Sequence, residues 1–276
     1  MLEYRGIKEV QLSQQDLANF YEGDFKFDDM VENQYLLIKD ESGNYVDKCR
    51  FDGKTLNRIV KPKFIESRML DKVKALNIRQ EIYIDLLHQK DITIKCVQGS
   101  AGAGKSFIAI AYSLQELEKD RSKKLYILRN NVPIEGVEEL GFLPGTEYDK
   151  LKPYIMYASD VLSEGGLQMM VETGRIEMLY LGTLRGRNLS NAIVLCSESQ
   201  NMTVEHLAMI ISRMGKDTIS IFDFDMDQVD KKIFRTNNGM KKMYEVFPGE
   251  KLFGCCELEE VERSESAKLA RKLLNK

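Results

Sequence analysis

The sequence predicts an α/β fold: a mainly parallel sheet with helices on both faces, preceded by a small antiparallel β element. Three observations carry this. From residue 77 onward, short apolar runs alternate with helical patterns, and strand–helix alternation favours a parallel sheet covered on both sides. One of the strand–helix junctions is a glycine-rich loop. Before residue 77, two β-patterned runs are joined by turn residues rather than by a helix, which favours antiparallel pairing. The chain is therefore read as a leader, residues 1–76, and an α/β domain, residues 77–276.

In chain order, residues 1–47 carry 11 acidic and four basic side chains. Gln34–Lys39 and Tyr45–Arg50 read as strands around the turn Asp40-Glu41-Ser42-Gly43-Asn44, and Asp52-Gly53 makes a second turn. Residues 58–79 reverse the charge, with seven bases (Arg58, Lys61, Lys63, Arg68, Lys72, Lys74, Arg79) against Glu66 and Asp71, and they contain Pro62. Beyond them, Ile92–Gln98, Leu125–Leu128, Ile176–Leu181, Ala192–Cys196, Thr218–Phe222 and Leu252–Cys256 are the predicted strands. Val204, Leu207, Ala208 and Ile211 recur at helical spacing.

Composition bounds the function. With 43% hydrophobic and 30% charged residues the chain is globular. No apolar run approaches the roughly 18 residues of a membrane span, and the first residues lack a signal-peptide core. The five cysteines (49, 96, 196, 255, 256) have no metal-ligand spacing and read as reduced, buried thiols of a cytoplasmic protein. On a strand, Cys255 and Cys256 would face opposite ways. His88 and His206 fall in helical patterns and read as structural. The formal net charge of −3 neither supports nor excludes a nucleic-acid partner, because it averages over an acidic leader and local basic runs. Asp223-Phe224-Asp225-Met226-Asp227 imitates the start of a calcium loop, but Gln228 replaces the required Gly and Phe234 the required Glu.

The loop Gly99-Ser100-Ala101-Gly102-Ala103-Gly104-Lys105-Ser106 fits G-x-x-x-x-G-K-[ST] in full, with a strand before it and a helix after it. Glycines let successive backbone N–H groups turn inward toward phosphate oxygens, and the helix N-terminus adds partial positive charge. Lys105 suits the β- and γ-phosphates and the Ser106 hydroxyl suits Mg²⁺. Hydrolysis further needs a carboxylate for the metal and one to orient water. Ser197-Glu198-Ser199-Gln200-Asn201, at the end of a predicted strand, is where these are sought.

With these residues assembled, the chain resembles the PhoH-like P-loop ATPases, the phosphate-starvation-inducible family. Gly141-Phe142-Leu143-Pro144-Gly145 resembles its G-F-L-P-G segment and Arg185-Gly186-Arg187 its R-G-R. Ser197–Asn201 stands where the family has D-E-A-Q-N, and Asp225-Met226-Asp227-Gln228-Val229-Asp230 resembles its G-D-x-x-Q-x-D. Leu252-Phe253-Gly254, Glu262-Arg263-Ser264 and Leu269-Ala270 resemble its C-terminal pattern. The resemblance is closest to members whose ATPase follows a PIN-type nuclease. Residues from about 5 onward resemble the linking segment and the ATPase without that nuclease, and the length leaves no room for it. No ribonuclease activity is carried over.

The resemblance implies a RecA-like fold, ATP and Mg²⁺ as cofactors, and a homo-oligomer able to form a ring. It assigns Gln80 to adenine, although a glutamine at that place also suits a helix surface. It makes Arg263 a candidate finger for the γ-phosphoryl, against a surface ion pair with Glu262 or Glu265. Arg187 and Arg213 are weaker candidates of the same kind. One departure stands out: Ser197 replaces the family's Asp, so Mg²⁺ loses a carboxylate while Glu198 remains for water. Asp223 stands where the family has Thr, in Asp223-Phe224-Asp225 against Thr-Gly-Asp, on a strand expected beside the loop strand. Asp223 or Asp225 is thus expected to restore part of the metal shell. Lys231, Lys232, Arg235, Lys241 and Lys242, together with the 58–79 run, offer a surface for single-stranded RNA or another nucleic acid. Two readings remain: an Mg²⁺-dependent ATPase coupled to RNA, and a non-hydrolysing, ATP-gated nucleic-acid-binding or assembly module. No lid or acceptor motif supports a small-molecule kinase.

Overall fold

A computed structural model describes residues 4–60, 64–129 and 164–259. Its main sheet has six strands: β7 (Ile94–Gly99), β8 (Lys124–Arg129), β9 (Ile176–Leu179), β10 (Ala192–Ser197), β11 (Ile219–Phe224) and β12 (Phe253–Leu258). Their order is β12-β7-β11-β10-β8-β9, and every neighbouring pair is parallel.

Side-chain alternation along the strands feeds two separate cores. Val97, Ile127, Ile193, Leu195, Ile221 and Cys256 pack with α2 (Ile78–His88), α3 (Lys105–Lys119) and α4 (Glu164–Glu172). Cys96, Leu128, Val194, Phe222, Phe253 and Cys255 pack on the other face with α5 (Val204–Ile211) and α7 (Gly239–Val246). Cys255 and Cys256 therefore do face opposite ways. All five cysteines are free and buried. Both histidines lie in helices, His88 against the Ile84 carbonyl and His206 in a capping box with Thr203.

The sheet boundaries differ from the sequence expectation at one place that matters. The strand expected to end at Phe222 continues to Phe224, so Asp223 lies inside β11 and in register with Val97 of the loop strand. Its aromatic neighbours Phe222 and Phe224 fill the α5–α7 core, which leaves Asp223 on the face of the phosphate loop.

The leader is more elaborate than expected. Four strands, β1 (Ile7–Gln11), β2 (Tyr35–Lys39), β3 (Tyr45–Phe51) and β4 (Leu56–Arg58), pair in sequence order. β2, β3 and β4 are antiparallel as expected, whereas β1 runs parallel to β2. The physical reason is α1 (Gln14–Glu22), which supplies the crossover that a parallel pair needs. Ser13 caps α1 by accepting from the Asp16 N–H, and Gly23 ends it in the left-handed region. β5 (Ile65–Ser67) and β6 (Leu70–Val73) form a hairpin held on α3, where the Glu118 carboxylate accepts from the Ser67 hydroxyl and the Arg68 N–H.

The leader sheet lies between α1 and the large domain. Leu36, Ile38 and Cys49 pack with Leu17 and Phe20 on one side, while Tyr35 and Leu37 join the α2–α3 core on the other. Asn33, held at φ 66°, fastens it. Its amide donates to the Lys251 and Phe253 carbonyls (both 2.9 Å) and accepts from Arg50 (2.9 Å). Replacing Asn33 with Ala leaves the buried Phe253 carbonyl and the half-buried Arg50 guanidinium without this partner, and we expect a loss of about 1–3 kcal/mol in urea unfolding. A loss below a few tenths would show that the leader docks through its apolar face alone.

Among the described residues, no helix is long and apolar enough to cross a membrane.

Candidate functional site

The site forms where β7, β10 and β11 end. β7 stops at Gly99, where a side chain would collide with the Leu258 carbonyl of β12 (2.6 Å from an added Cβ). The loop then turns through Gly102 and Gly104, both at φ near +90°, a conformation that L side chains rarely adopt. Gly104 ends the loop as the N-cap of α3, so the first N–H groups of the helix open toward the loop.

Gln80 braces this loop from α2. It is 3% exposed, its amide nitrogen donates to the Ala103 carbonyl (3.1 Å), and its amide oxygen accepts from the Leu76 N–H (2.9 Å). A Cβ on Gly104 would come within 3.1 Å of that amide. Gln80 is thus no surface residue, and in this structure it holds the loop's shape.

Lys105 folds over the loop and donates to the Gly99 and Ser100 carbonyls (2.6 and 3.1 Å). The Ser100 hydroxyl is buried and has no partner among the described residues. Ser106 turns the other way and donates to the Asp223 carboxylate (2.7 Å).

Asp223, 2% exposed, is the hub. It also accepts from the Ser197 hydroxyl (3.1 and 3.2 Å to its two oxygens) and from the Glu198 N–H (3.1 Å). Burial pushes its pKa up, and the nearby Lys105 charge and the Ser106 hydroxyl oppose that. Asp223 makes no ion pair among the described residues.

Asp225 has a different task. Its carboxylate accepts from the Asp227 N–H (3.0 Å) and the Gln228 amide (2.8 Å), capping a 3-10 turn, Met226–Gln228.

Glu198 follows β10 in the left-handed region, at φ 56° and ψ 39°. A non-glycine residue there costs of order 1–3 kcal/mol and persists only where its surroundings impose it. Asp223 fixes its backbone N–H, and the Gln200 amide donates to its carboxylate (2.6 Å). Gln200 is fully buried, and its amide oxygen accepts from the Asp225 N–H (3.1 Å). Sequence reasoning had assigned no task to Gln200. The available signal was a polar run, 199–201, directly after an all-apolar strand.

The other candidate residues lie elsewhere. Arg187 makes two hydrogen bonds with Glu177 and stacks near the Tyr126 ring, so it is spent on an ion pair. Arg213 sits beyond α5, in the turn leading to the opposite end of the sheet. Arg263 and the 141–145 segment lie outside the described residues. Of the first basic run, Arg58 pairs with Asp47, Lys72 with Glu66, and Arg79 with Glu9 and Glu259. In the second run Lys242 pairs with Glu245. Lys232, Arg235 and Lys241 are exposed and make no ion pair among the described residues, on α6 (Lys232–Thr236) and α7. Asn238 ties these helices to the site by donating to the Gln200 carbonyl (2.9 Å).

A loop strand separated by one inserted strand from the strand that carries the second motif, as β11 separates β7 from β10 here, is the RecA-like arrangement. Fold and loop together make this a P-loop NTPase fold. Residues 72–275 match the family described as PhoH-like protein, and the chain belongs to that family. The protein called PhoH2 of Bacillus subtilis is 29% identical, over 98% of this chain and 64% of its own length. Thermobispora bispora PhoH2 is 30% identical over 80% and 53%, and a Synechocystis PhoH-like protein is 35% identical over 60% and 50%. The chain thus spans about half to two-thirds of these relatives. Among solved structures, Bacteroides sp Pif1 in complex with ADP-AlF4 aligns over 73% of this chain and 46% of its own, with 16% identity and a TM-score of 0.33.

Proposed function

We propose that this chain binds ATP with Mg²⁺ at the phosphate loop and hydrolyses it, with turnover coupled to single-stranded RNA on the basic α6–α7 face. The observation that carries the reading is the meeting of four groups where three neighbouring inner strands end: Lys105, Ser106, Asp223 and Glu198.

The donor set fits the ligands. Ser100 has a buried hydroxyl with no partner among the described residues, free to donate to a phosphate oxygen. A hydroxyl and a carboxylate 2.7 Å apart match the hard oxygen ligands that Mg²⁺ takes, usually one or two from protein and the rest from phosphate and water. Mg²⁺, when bound, neutralises charge on the phosphate oxygens. Lys105 exchanges loop carbonyls for phosphate oxygens, Gln80 keeps the loop in shape, and Glu198 accepts a proton from, or orients, the attacking water.

The coupling to RNA is supported by proximity. Gln200 touches both Glu198 and Asp225, and Asn238 links it to the helices that carry Lys232, Arg235 and Lys241.

Phosphate release with and without single-stranded RNA, over a salt titration, tests the reading. RNA is expected to raise release, and Lys232→Ala with Arg235→Ala to remove that stimulation. The salt slope of RNA binding should fall by roughly 0.7 per lost phosphate contact. Ser197 favours a second reading, in which ATP gates binding without hydrolysis. Tight ATP binding with no phosphate released in any condition would select it.

A further inference from the structure

The carboxylate that faces Ser106 stands one strand away from where the resemblance places it. β10 and β11 are parallel, and Cys196 pairs with Phe222, so Ser197 and Asp223 occupy the next rung side by side. In the pattern this chain resembles, the first of these positions is Asp and the second Thr. Here the first is a hydroxyl and the second a carboxylate.

The geometry shows what each now does. Asp223 receives three donors: the Ser106 hydroxyl, the Ser197 hydroxyl and the Glu198 N–H. Two of the three come from hydroxyls, which supply no charge. Among the described residues no cation pairs with this carboxylate, which is 2% exposed. A buried anion held by neutral donors, next to a loop built for phosphate, has only the Lys105 charge near it and no ion pair with that charge among the described residues. Ser197, itself 6% exposed, spans both carboxylate oxygens and so fixes their orientation. Asp225 faces the turn that follows, where its oxygens accept from the Asp227 N–H and the Gln228 amide, whereas Asp223 is the carboxylate that accepts from Ser106.

We infer that hydroxyl and carboxylate have been exchanged between adjacent strands: Asp223 on β11 is the metal-side carboxylate, and Ser197 on β10 is the positioning residue that holds it. This rests on the phosphate-site reading above and adds to it. The site is not a weakened form of the family's arrangement but the same pair of groups with the strands interchanged. The two positions must then depend on each other. Aspartate at 197 beside an unchanged Asp223 sets two buried carboxylates about 3 Å apart, and like charges so placed resist joint ionisation.

Binding of a fluorescent ATP analogue by the whole chain, in Mg²⁺ and in EDTA, tests this without any turnover, with thermal midpoints recorded alongside. Asp223→Asn keeps the side-chain shape and is expected to lose roughly 10–100-fold in Mg²⁺-dependent affinity while its affinity in EDTA persists. The double variant Ser197→Asp with Asp223→Ser is expected to regain the Mg²⁺ dependence. Ser197→Asp alone is expected to lower the thermal midpoint in EDTA. The exchange is overturned if Asp223→Asn keeps the full Mg²⁺ dependence, or if the double variant does no better than Asp223→Asn. A wild-type chain that binds no nucleotide in either condition overturns the phosphate-site reading and the exchange with it. Normal wild-type binding with an indifferent Asp223 removes the exchange alone.

Discussion

Lys105→Ala is expected to lower nucleotide turnover by about 10²–10³-fold, the usual effect of deleting one preorganised donor from a site where charge develops. The side chain is already in place. Its ammonium donates to two loop carbonyls, 2.6 and 3.1 Å away, and these are neutral acceptors. Trading them for phosphate oxygens pairs the ammonium with anionic acceptors, which adds Coulomb attraction to bonds that are already charge-assisted. The same charge opposes the upward pKa shift that burial imposes on Asp223 and Asp225, so its removal also leaves two acidic groups less compensated. The loop should survive the change. Its shape comes from Gly102, Gly104 and the Gln80 brace, none of which uses Lys105. Titration with a fluorescent nucleotide, phosphate release and a thermal midpoint separate the effects. Turnover within a few-fold of wild type would show that this loop is not where the triphosphate reacts.

Local signals make much of this legible in the sequence. The loop motif needs only its own spacing and the apolar runs on either side, and both are local. Cys255 and Cys256 facing opposite cores follows from strand periodicity alone. Asp223 beside the loop strand followed from the strand order that the resemblance implied, and the register with Val97 bears that placement out.

What escaped depends on contacts between distant residues. The 58–79 run read as a cationic stretch because its partners lie elsewhere: Asp47 for Arg58, and Glu9 and Glu259 for Arg79. No window around Arg79 contains either glutamate. The part played by Asn33 had no local signal, since its side-chain bonds reach Arg50, Lys251 and Phe253, 17 to 220 positions away. α1 had a readable start in Ser13 with Asp16 and a readable stop in Gly23, yet an acidic leader masked it. With α1 overlooked, the parallel β1–β2 pair could not be foreseen, because only the helix explains how the chain returns.

Glu198→Gln is the second large effect, and it separates hydrolysis from binding. A positioned carboxylate acting on water contributes about 10²–10⁴-fold, so turnover is expected to fall by that factor. ATP affinity should change little, because Lys105, Ser106 and the loop N–H groups are untouched. The substitution is nearly isosteric. A glutamine oxygen at 198 still accepts from the Gln200 amide, and the Glu198 N–H that Asp223 holds belongs to the backbone. The left-handed backbone at 198 should persist for the same reason, since nothing that imposes it involves the charge. A variant that binds ATP as wild type does and releases phosphate at least a hundredfold more slowly would mark Glu198 as the group that acts on water. Unchanged release would take Glu198 out of the chemistry. If wild type and variant both hold ATP without releasing phosphate, the gating reading stands, and the αL strain at 198 then serves the contact with Gln200 and the helices beyond it.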